Sequence, residues 1–246
     1  MAARKETAAD IKSLLARHRL LSQLSGKDQH RLAKKMRVVS LDAVEPLYES
    51  SEAIREVFFP LSAVLFFAGT TSEGYVVEVG QIGSEGIAGV EVAMRTRFAG
   101  LSLMTASIEI PGSALQMMAD DFAEEVDRYS TVNRCVRRYI GFFLAQLQLL
   151  IACNRHHSVE QRGARWLLAL QDRTDSRHLY LTQQHLADML GVTRQTADKL
   201  LDEFEAEEIL ESRRGIVAIT DRRKLQARAC ECYRTIAERL EEVFAG

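Results

Sequence analysis

Read for apolar spacing, the chain changes character near Pro111. Before it, short runs rich in Val, Ile and Phe ("VFFPLSAVLFF", "GYVVEVG", "LMTASIEI") are separated by glycine. Such runs predict many short strands, a β-roll or barrel-like unit. Eight of the fourteen glycines fall between Gly69 and Gly112, and all three prolines (Pro46, Pro60, Pro111) lie in this first part, so the turns are concentrated there. Upstream, "LLSQLSGKDQHRLAKKM" has the look of short helices, with Ser25 and Asp28 spaced as a capping box. After Pro111 the chain runs 135 residues without proline, mostly with helical periodicity.

The first long helix is expected from about Thr131 to Asn154. Val136, Ile140, Phe143, Leu147 and Leu150 recur at 4-3-4-3 spacing along it. That stripe suits a helix lying along an identical one; it also suits a helix packed on its own domain. Phe142, Leu144, Leu149 and Ile151 widen the apolar face, so one side can touch the β unit while the other dimerises. Ser158 followed by Gln161 reads as a capping box and starts a new helix near Val159. The expected parts are thus 1–120, 121–157 and 158–246.

"LADMLGVTRQTADKLL" then places a glycine between two helical runs. Two tightly crossing helices need a small residue at the crossing and a turn residue that tolerates positive φ. Ala187 and Gly191 meet these needs, and Leu186, Leu190, Val192, Ala197 and Leu200 fill the inward positions. Thr182 and Thr193 are placed as N-caps. A second helix starting at Thr193 puts Arg194, Gln195, Asp198 and Lys199 on one outward face. Arg and Lys match guanine O6/N7 and Gln matches adenine N6/N7, so the face has base-reading chemistry. The helix N-terminus adds a dipole suited to phosphate. "ILESRRGIVAIT" reads as strand–turn–strand with Arg213 and Arg214 at the tip, as a wing against phosphates or as a plain hairpin with a solvated turn.

Composition adds little to this. Net charge is −2 over 246 residues, 47% of them hydrophobic and 27% charged. Between Ser176 and Leu225 there are eight Lys/Arg against nine Asp/Glu, so any nucleic-acid surface rests on local geometry. No unbroken apolar run approaches the roughly 18 residues of a membrane span, and "MAARKETAADIKS" has no apolar core of a signal peptide. Four cysteines (Cys135, Cys153, Cys230, Cys232) do not make a disulfide framework and read as reduced thiols in cytoplasm. Cys153 with His156 and His157 is drawable as a metal site, and Cys230-x-Cys232 as a redox pair. The expectation is that both are ordinary residues of the hinge and last helix. From Arg37 to Met118 there is neither His nor Cys, which removes the ligands of a metal-dependent β-barrel enzyme.

The order of β-rich segment, long stripe helix, hinge and winged helix-turn-helix resembles the Crp/Fnr superfamily of bacterial transcription regulators over nearly the whole chain. The residues that carry the likeness are "LTQQHLADMLGVTRQTADKLLDEFEAEEILESRRGIVAI", "CNRHHSVEQRGARWLL" and "RKLQARACECY". The resemblance implies an α+β chain: a cyclic-nucleotide-binding-like β-roll, a long dimerisation helix and a C-terminal winged helix-turn-helix. It implies a homodimer on double-stranded DNA with palindromic half-sites, RNA polymerase as a further partner, and no enzymatic activity, cofactor, metal or membrane. Members of the family begin their reading helix Ser-Arg-Glu-Thr-Val-Gly-Arg; here the run is Thr193-Arg194-Gln195-Thr196-Ala197-Asp198-Lys199. Arg194 takes the guanine-reading role, while Gln195 and Lys199 differ and imply a different operator.

The sensor half departs from the family. Cyclic-nucleotide-binding members hold phosphate with Gly-Glu-Leu and a later Arg-Ser pair. Gly89-Val90-Glu91 and Ser102-Leu103 stand at those places, without the Arg and with Val90 where a Glu is expected. Arg95 and Arg97 lack matching spacing. "GSEGIAGV" resembles the branch without a recognised nucleotide pocket. The alternatives are a cyclic-nucleotide-dependent regulator with an atypical pocket and, in another class, a β-barrel enzyme.

Overall fold

The computed structural model describes residues 7–42, 46–73, 76–94, 102, 104–128, 130–174 and 176–245. Helices α1 (Ala8–Leu15) and α2 (Gly26–Ala33) come first, α1 closed by a full capping box between Thr7 and Asp10. Six strands follow: β1 (Met36–Leu41), β2 (Glu56–Pro60), β3 (Val64–Thr70), β4 (Val76–Ile82), β5 (Thr105–Ile110) and β6 (Gly112–Met118). They form two three-stranded sheets, ordered β1-β6-β2 and β4-β3-β5. Val38 pairs with Leu115, and Phe59 faces Leu115 from the other side, so β6 is the central strand of its sheet. The glycine-punctuated runs form strands, as their Val, Ile and Phe content and glycine spacing predict. Next come α3 (Ala119–Asp127), the long α4 (Thr131–His156) and α5 (Val159–Gln171). The chain closes with β7 (His178–Tyr180), α6 (Gln183–Leu190), α7 (Arg194–Ala206), β8 (Leu210–Arg213), β9 (Ile216–Ile219), α8 (Arg222–Arg228) and α9 (Cys232–Phe244).

The chain divides into two compact units, one of residues 1–66, 82–143 and 241–246, the other of residues 67–81 and 144–240. In the first, Leu15, Leu32, Val57, Phe59, Leu65, Leu115 and Phe122 are all at most 1% exposed. Phe59 packs edge-on against both Phe122 and the imidazole of His18. The Ser25 cap is only half of the box expected from sequence. Ser25 Oγ accepts from the Asp28 N–H, but the Asp28 carboxylate accepts instead from the Thr131 N–H (3.0 Å) and hydroxyl at the start of α4. A long-range partner has displaced the local one, which pattern reading has no means of seeing. Asp28 and the fully buried Glu125 of α3 also pair with Arg31, which compensates the burial of both acids.

Along α4 the positions buried within the protomer are Val132, Val136, Tyr139, Phe142, Phe143, Gln146, Leu150 and Cys153. Three of the five residues expected to meet a partner helix, Val136, Phe143 and Leu150, are only 3%, 6% and 3% exposed. They are spent on the protomer's own core, because the stripe has the spacing that either use requires. Ile140 and Leu147 are half-buried, and the large apolar side chains of α4 that face solvent are Leu144 (53%) and Ile151 (71%). By length and composition alone, the 26-residue α4 is long and apolar enough to suit a membrane span. Counting unbroken apolar runs missed this, since Gln146 and Gln148 interrupt them. The core helix of a many-element protein passes the same test.

His18 is fully buried, its Nε2–H donating to the Gly86 carbonyl (3.1 Å) while Nδ1 accepts from the Leu21 N–H (3.3 Å). Burial holds its pKa down at about 4, against an ordinary value of 6.5. Below pH 6.5 the unfolded chain therefore takes up a proton that the folded chain refuses until about pH 4. His18 costs nothing at pH 7 and removes stability progressively over that window, by about 3 kcal/mol in all. Denaturant unfolding of wild type and His18→Gln at pH 7 and pH 4.5 should give a flatter pH dependence for the variant; equal slopes would refute this.

Candidate nucleic-acid interface

The second unit is built around α5, whose N-terminus is closed as expected by the Ser158–Gln161 capping box. Its inner face supplies Trp166, Leu167, Leu168 and Leu170, all fully buried. Against it lie α6 and α7. Thr182 caps α6 by accepting from the His185 N–H, and Thr193 caps α7 by accepting from the Thr196 N–H. Gly191 ends α6 in the left-handed region (φ 62°, ψ 41°). Leu186, Ala187, Leu190, Ala197 and Leu200 are buried, with Val192 partly so. The inward positions and the turn are thus those that the spacing predicts.

Two supports were not anticipated. A side-chain carbon at Gly163 of α5 would lie 2.5 Å from Leu200 Cδ2, so any larger residue there would oblige the Leu200 side chain of α7 to move aside. Arg162 Nη1 donates to the carbonyl of Leu190 (2.7 Å), placing a cation on the C-terminal end of α6, where the helix dipole favours it. Neither is recognisable from one sequence, since both depend on which residues of α6 and α7 face α5.

With its inner face thus fixed, α7 turns Arg194, Gln195 and Lys199 to solvent, the Arg and Lys side chains 63% and 78% exposed. Gln195, Thr196, Asp198, Lys199 and Asp202 line a shallow hollow on this face. In the free protein Arg194 donates to Gln183 Oε1 (3.2 Å) and lies 3.9 Å from Asp198 Oδ2. Thr182, Thr193 and Thr196 are engaged in capping, the last two also sharing a hydroxyl contact of 2.9 Å.

The wing is present, with one strand more than the sequence suggested. β8 and β9 pair from Leu210↔Ile219 to Arg213↔Ile216, and β7 adds to the far edge of β9. The three-residue β7 is too short to carry an alternation signal. It brings Tyr180, 73% exposed, beside Ile216 near the wing tip. The hairpin turn is Arg214-Gly215, both at positive φ (51° and 80°), as the right-handed twist of a two-residue connection requires. Arg213 is 84% exposed, with only a 3.7 Å contact to Glu211, and Arg214 is exposed. The Leu181 N–H donates to the Gly215 carbonyl (2.8 Å), tying the tip to the entrance of α6. α8 is locked to α5 and α7 by Arg228, which pairs with Glu160 and Glu207.

The sensor-side residues are less informative. Arg95, Arg97 and Leu103 lie outside the described residues. Gly89 has φ 84° and its N–H donates to the buried Tyr48 hydroxyl (3.0 Å), while Val90 is 3% exposed. Glu91 is held above the usual carboxylate range by burial.

The cysteines are not scattered. Cys153 in the last turn of α4 and His157 just past its end meet Cys230 and Cys232 at the α8–α9 junction, and their ligating atoms all lie within 4.8 Å of one another. His156 is exposed and takes no part. Cys230 Sγ hydrogen-bonds to Cys153, which draws the Cys153 thiol well below the usual cysteine range and pushes Cys230 up. The two pairs are 77 residues apart in sequence, so only the i, i+4 spacing and the Cys-x-Cys hinted at the group.

A winged helix-turn-helix following a long helix and a β-roll defines the class. Residues 161–228 match the Crp-like helix-turn-helix domain. No curated protein gives a match to the chain. Among solved structures, FixK2 from Bradyrhizobium japonicum is similar with a TM-score of 0.67 at 16% identity, over 79% of this chain and 98% of that one. The c-di-GMP responsive global regulator CLP from Xanthomonas campestris gives 0.64 at 12% identity, over 79% and 99%. A CRP/FNR-family transcriptional regulator from Thermus thermophilus gives 0.63 at 17%, over 78% and 98%. The chain has the fold of the Crp/Fnr regulators, with a cyclic-nucleotide-binding-like N-terminal part and a Crp-like helix-turn-helix.

Replacing Gly191 by Ala puts a side chain in the left-handed region and should lower stability by about 1–2 kcal/mol, read from urea unfolding. An unchanged midpoint would show that the turn does not depend on glycine.

Proposed function

We propose that this chain is a sequence-specific DNA-binding transcription regulator that acts as a homodimer on a palindromic operator, and not an enzyme. The observation that carries the reading is the pairing of two features on one rigid module. Arg194, Gln195 and Lys199 project from the first turns of α7, and Arg213 and Arg214 crown a wing tied to the start of α6. In this reading α7 enters the major groove, Arg194 reads a guanine, and the wing arginines hold phosphate. Arg194 exchanges its free-state contact with Gln183 for the base edge. Thr182, Thr193 and Thr196 fix the helix entrances, and Asp198 borders the reading surface. RNA polymerase is the partner to which occupancy is passed on, and the cytoplasm is the location. The division of labour follows the chain: 1–120 as sensor-like part, 121–157 as dimer helix and hinge, 158–246 as DNA-binding part.

The dimer seam is assigned to the face of α4 that the protomer leaves open: Ile140, Leu144, Leu147 and Ile151, again at coiled-coil spacing. Leu144→Arg with Ile151→Arg should convert a dimer into a folded monomer in sedimentation, with at least tenfold weaker operator binding. A dimer that survives this pair would place the seam elsewhere.

Cyclic AMP is disfavoured as effector. The Gly89 N–H is already satisfied by Tyr48, and Val90 is buried where a ribose-binding Glu would stand. Selection of bound duplexes from a randomised pool tests the whole reading, with an enriched palindrome expected and no enrichment as the refuting outcome. Arg194→Ala should erase preference at one base position of each half-site. Arg213→Ala with Arg214→Ala should weaken all sequences alike and reduce the salt slope by about 2 per protomer.

A further inference from the structure

We propose that Cys153, His157, Cys230 and Cys232 form a closed Cys3His zinc site that pins the end of α4 to the start of α9. This does not rest on the regulator reading. Three thiols and an imidazole converge with Cys153 Sγ 3.6 Å from Cys230 Sγ and Cys232 Sγ 3.7 Å from His157 Nδ1. A tetrahedral zinc with bonds of about 2.3 Å to sulfur and about 2.0 Å to nitrogen sets S···S edges of about 3.8 Å and S···N edges of about 3.5 Å. These two contacts match edges of that tetrahedron, and the remaining ligand pairs lie within 4.8 Å. An iron–sulfur cluster, which must enclose several irons and sulfides, needs ligands farther apart than 4.8 Å.

The surroundings are those of a ligand set. His157 Nε2 lies 3.2 Å from the Glu231 carboxylate, which fixes the proton on Nε2 and turns the Nδ1 lone pair toward the sulfurs. Glu231 is the middle residue of the Cys-x-Cys, so one short segment supplies two ligands and the carboxylate that orients a third. The Cys232 N–H donates to Cys230 Sγ, and Cys232 opens the 13-residue α9, whose dipole favours anionic sulfur. Arg165 faces Cys153 from α5; it is 6% exposed, and among the described residues its Nε has no hydrogen-bond partner. Three thiolates and one Zn2+ leave a net charge of −1, and Arg165 neutralises it. Binding releases the thiol protons to solvent, with no redox change. All four positions of the metal are taken by protein, so the site is structural. A Cys153–Cys230 disulfide would require the sulfurs to close from 3.6 Å to about 2.05 Å and would leave His157, Glu231 and Arg165 without a role.

The test is metal analysis of the full chain purified under reducing conditions, with cobalt(II) titration of the metal-stripped protein and circular dichroism as the folding control. One zinc per chain is expected, together with the sulfur-to-cobalt charge-transfer band and the visible bands of tetrahedral cobalt. Cys153→Ser with Cys232→Ser should lose the zinc, and Cys135→Ser, at a separate place on α4, should keep it. Glu231→Gln, which leaves all four ligands in place, should weaken zinc retention by about tenfold or more against a competing chelator. His157→Cys should bind again where His157→Ala does not. Folded, reduced wild type that holds far less than one zinc and gives no thiolate–cobalt bands would overturn the proposal. An iron–sulfur chromophore would do so too, as would full zinc in the double Ser variant.

Discussion

Close approach between helices is the constraint on which the rest of the second unit depends. Gly163, Ala187 and Ala197 are small residues on the inner faces of α5, α6 and α7. At Gly163 even one added carbon meets Leu200 at 2.5 Å. The direction in which Arg194 and Lys199 leave the surface is inherited from that packing. A reading face is defined by the side chains behind it as much as by those on it, because a shift of the helix by a fraction of an ångström changes which base edge a guanidinium reaches.

The parts of this architecture legible in the sequence are those that local physics dictates. Ser158–Gln161, Thr182, Thr193 and Gly191 occupy helix ends whose unpaired backbone groups have few ways to be satisfied, so a few neighbouring residues suffice to identify them. The Arg214-Gly215 turn is of the same kind. Where two long-range uses compete for one pattern, the sequence is silent. The α4 stripe suits a partner helix as well as the protomer's own core, and the core took Val136, Phe143 and Leu150. Asp28 had a local cap available and went to Thr131. The thiol group is the clearest case, since its halves come from α4 and from the α8–α9 junction.

The two units differ in what their polar groups are free to do. Around Gly89, backbone and side chains satisfy one another: Tyr48 takes the Gly89 N–H and the Phe58 and Ala88 backbones exchange hydrogen bonds. On α7 and the wing, the carboxylates nearest Arg194, Lys199 and Arg213 stand at 3.7–3.9 Å, and Arg194 also donates to the Gln183 side chain. Such contacts contribute little stability in water and are given up easily when a better anion arrives. The surface proposed to meet a polyanion is thus one whose cations have no close carboxylate partner among the described residues.

Arg214 shows what that arrangement costs. It stands at φ 51° in a turn where Asn or Gly would sit with less strain. A chain selected for durability alone would not place a long cationic side chain there. If the wing holds phosphate as proposed, folding and binding pull in opposite directions here: substitutions that relax the backbone remove the charge, and those that keep the charge keep the strain. Variation at residue 214 is therefore confined to a narrow set of compromises, unlike that at Arg213, which lies in ordinary strand geometry and carries no such strain.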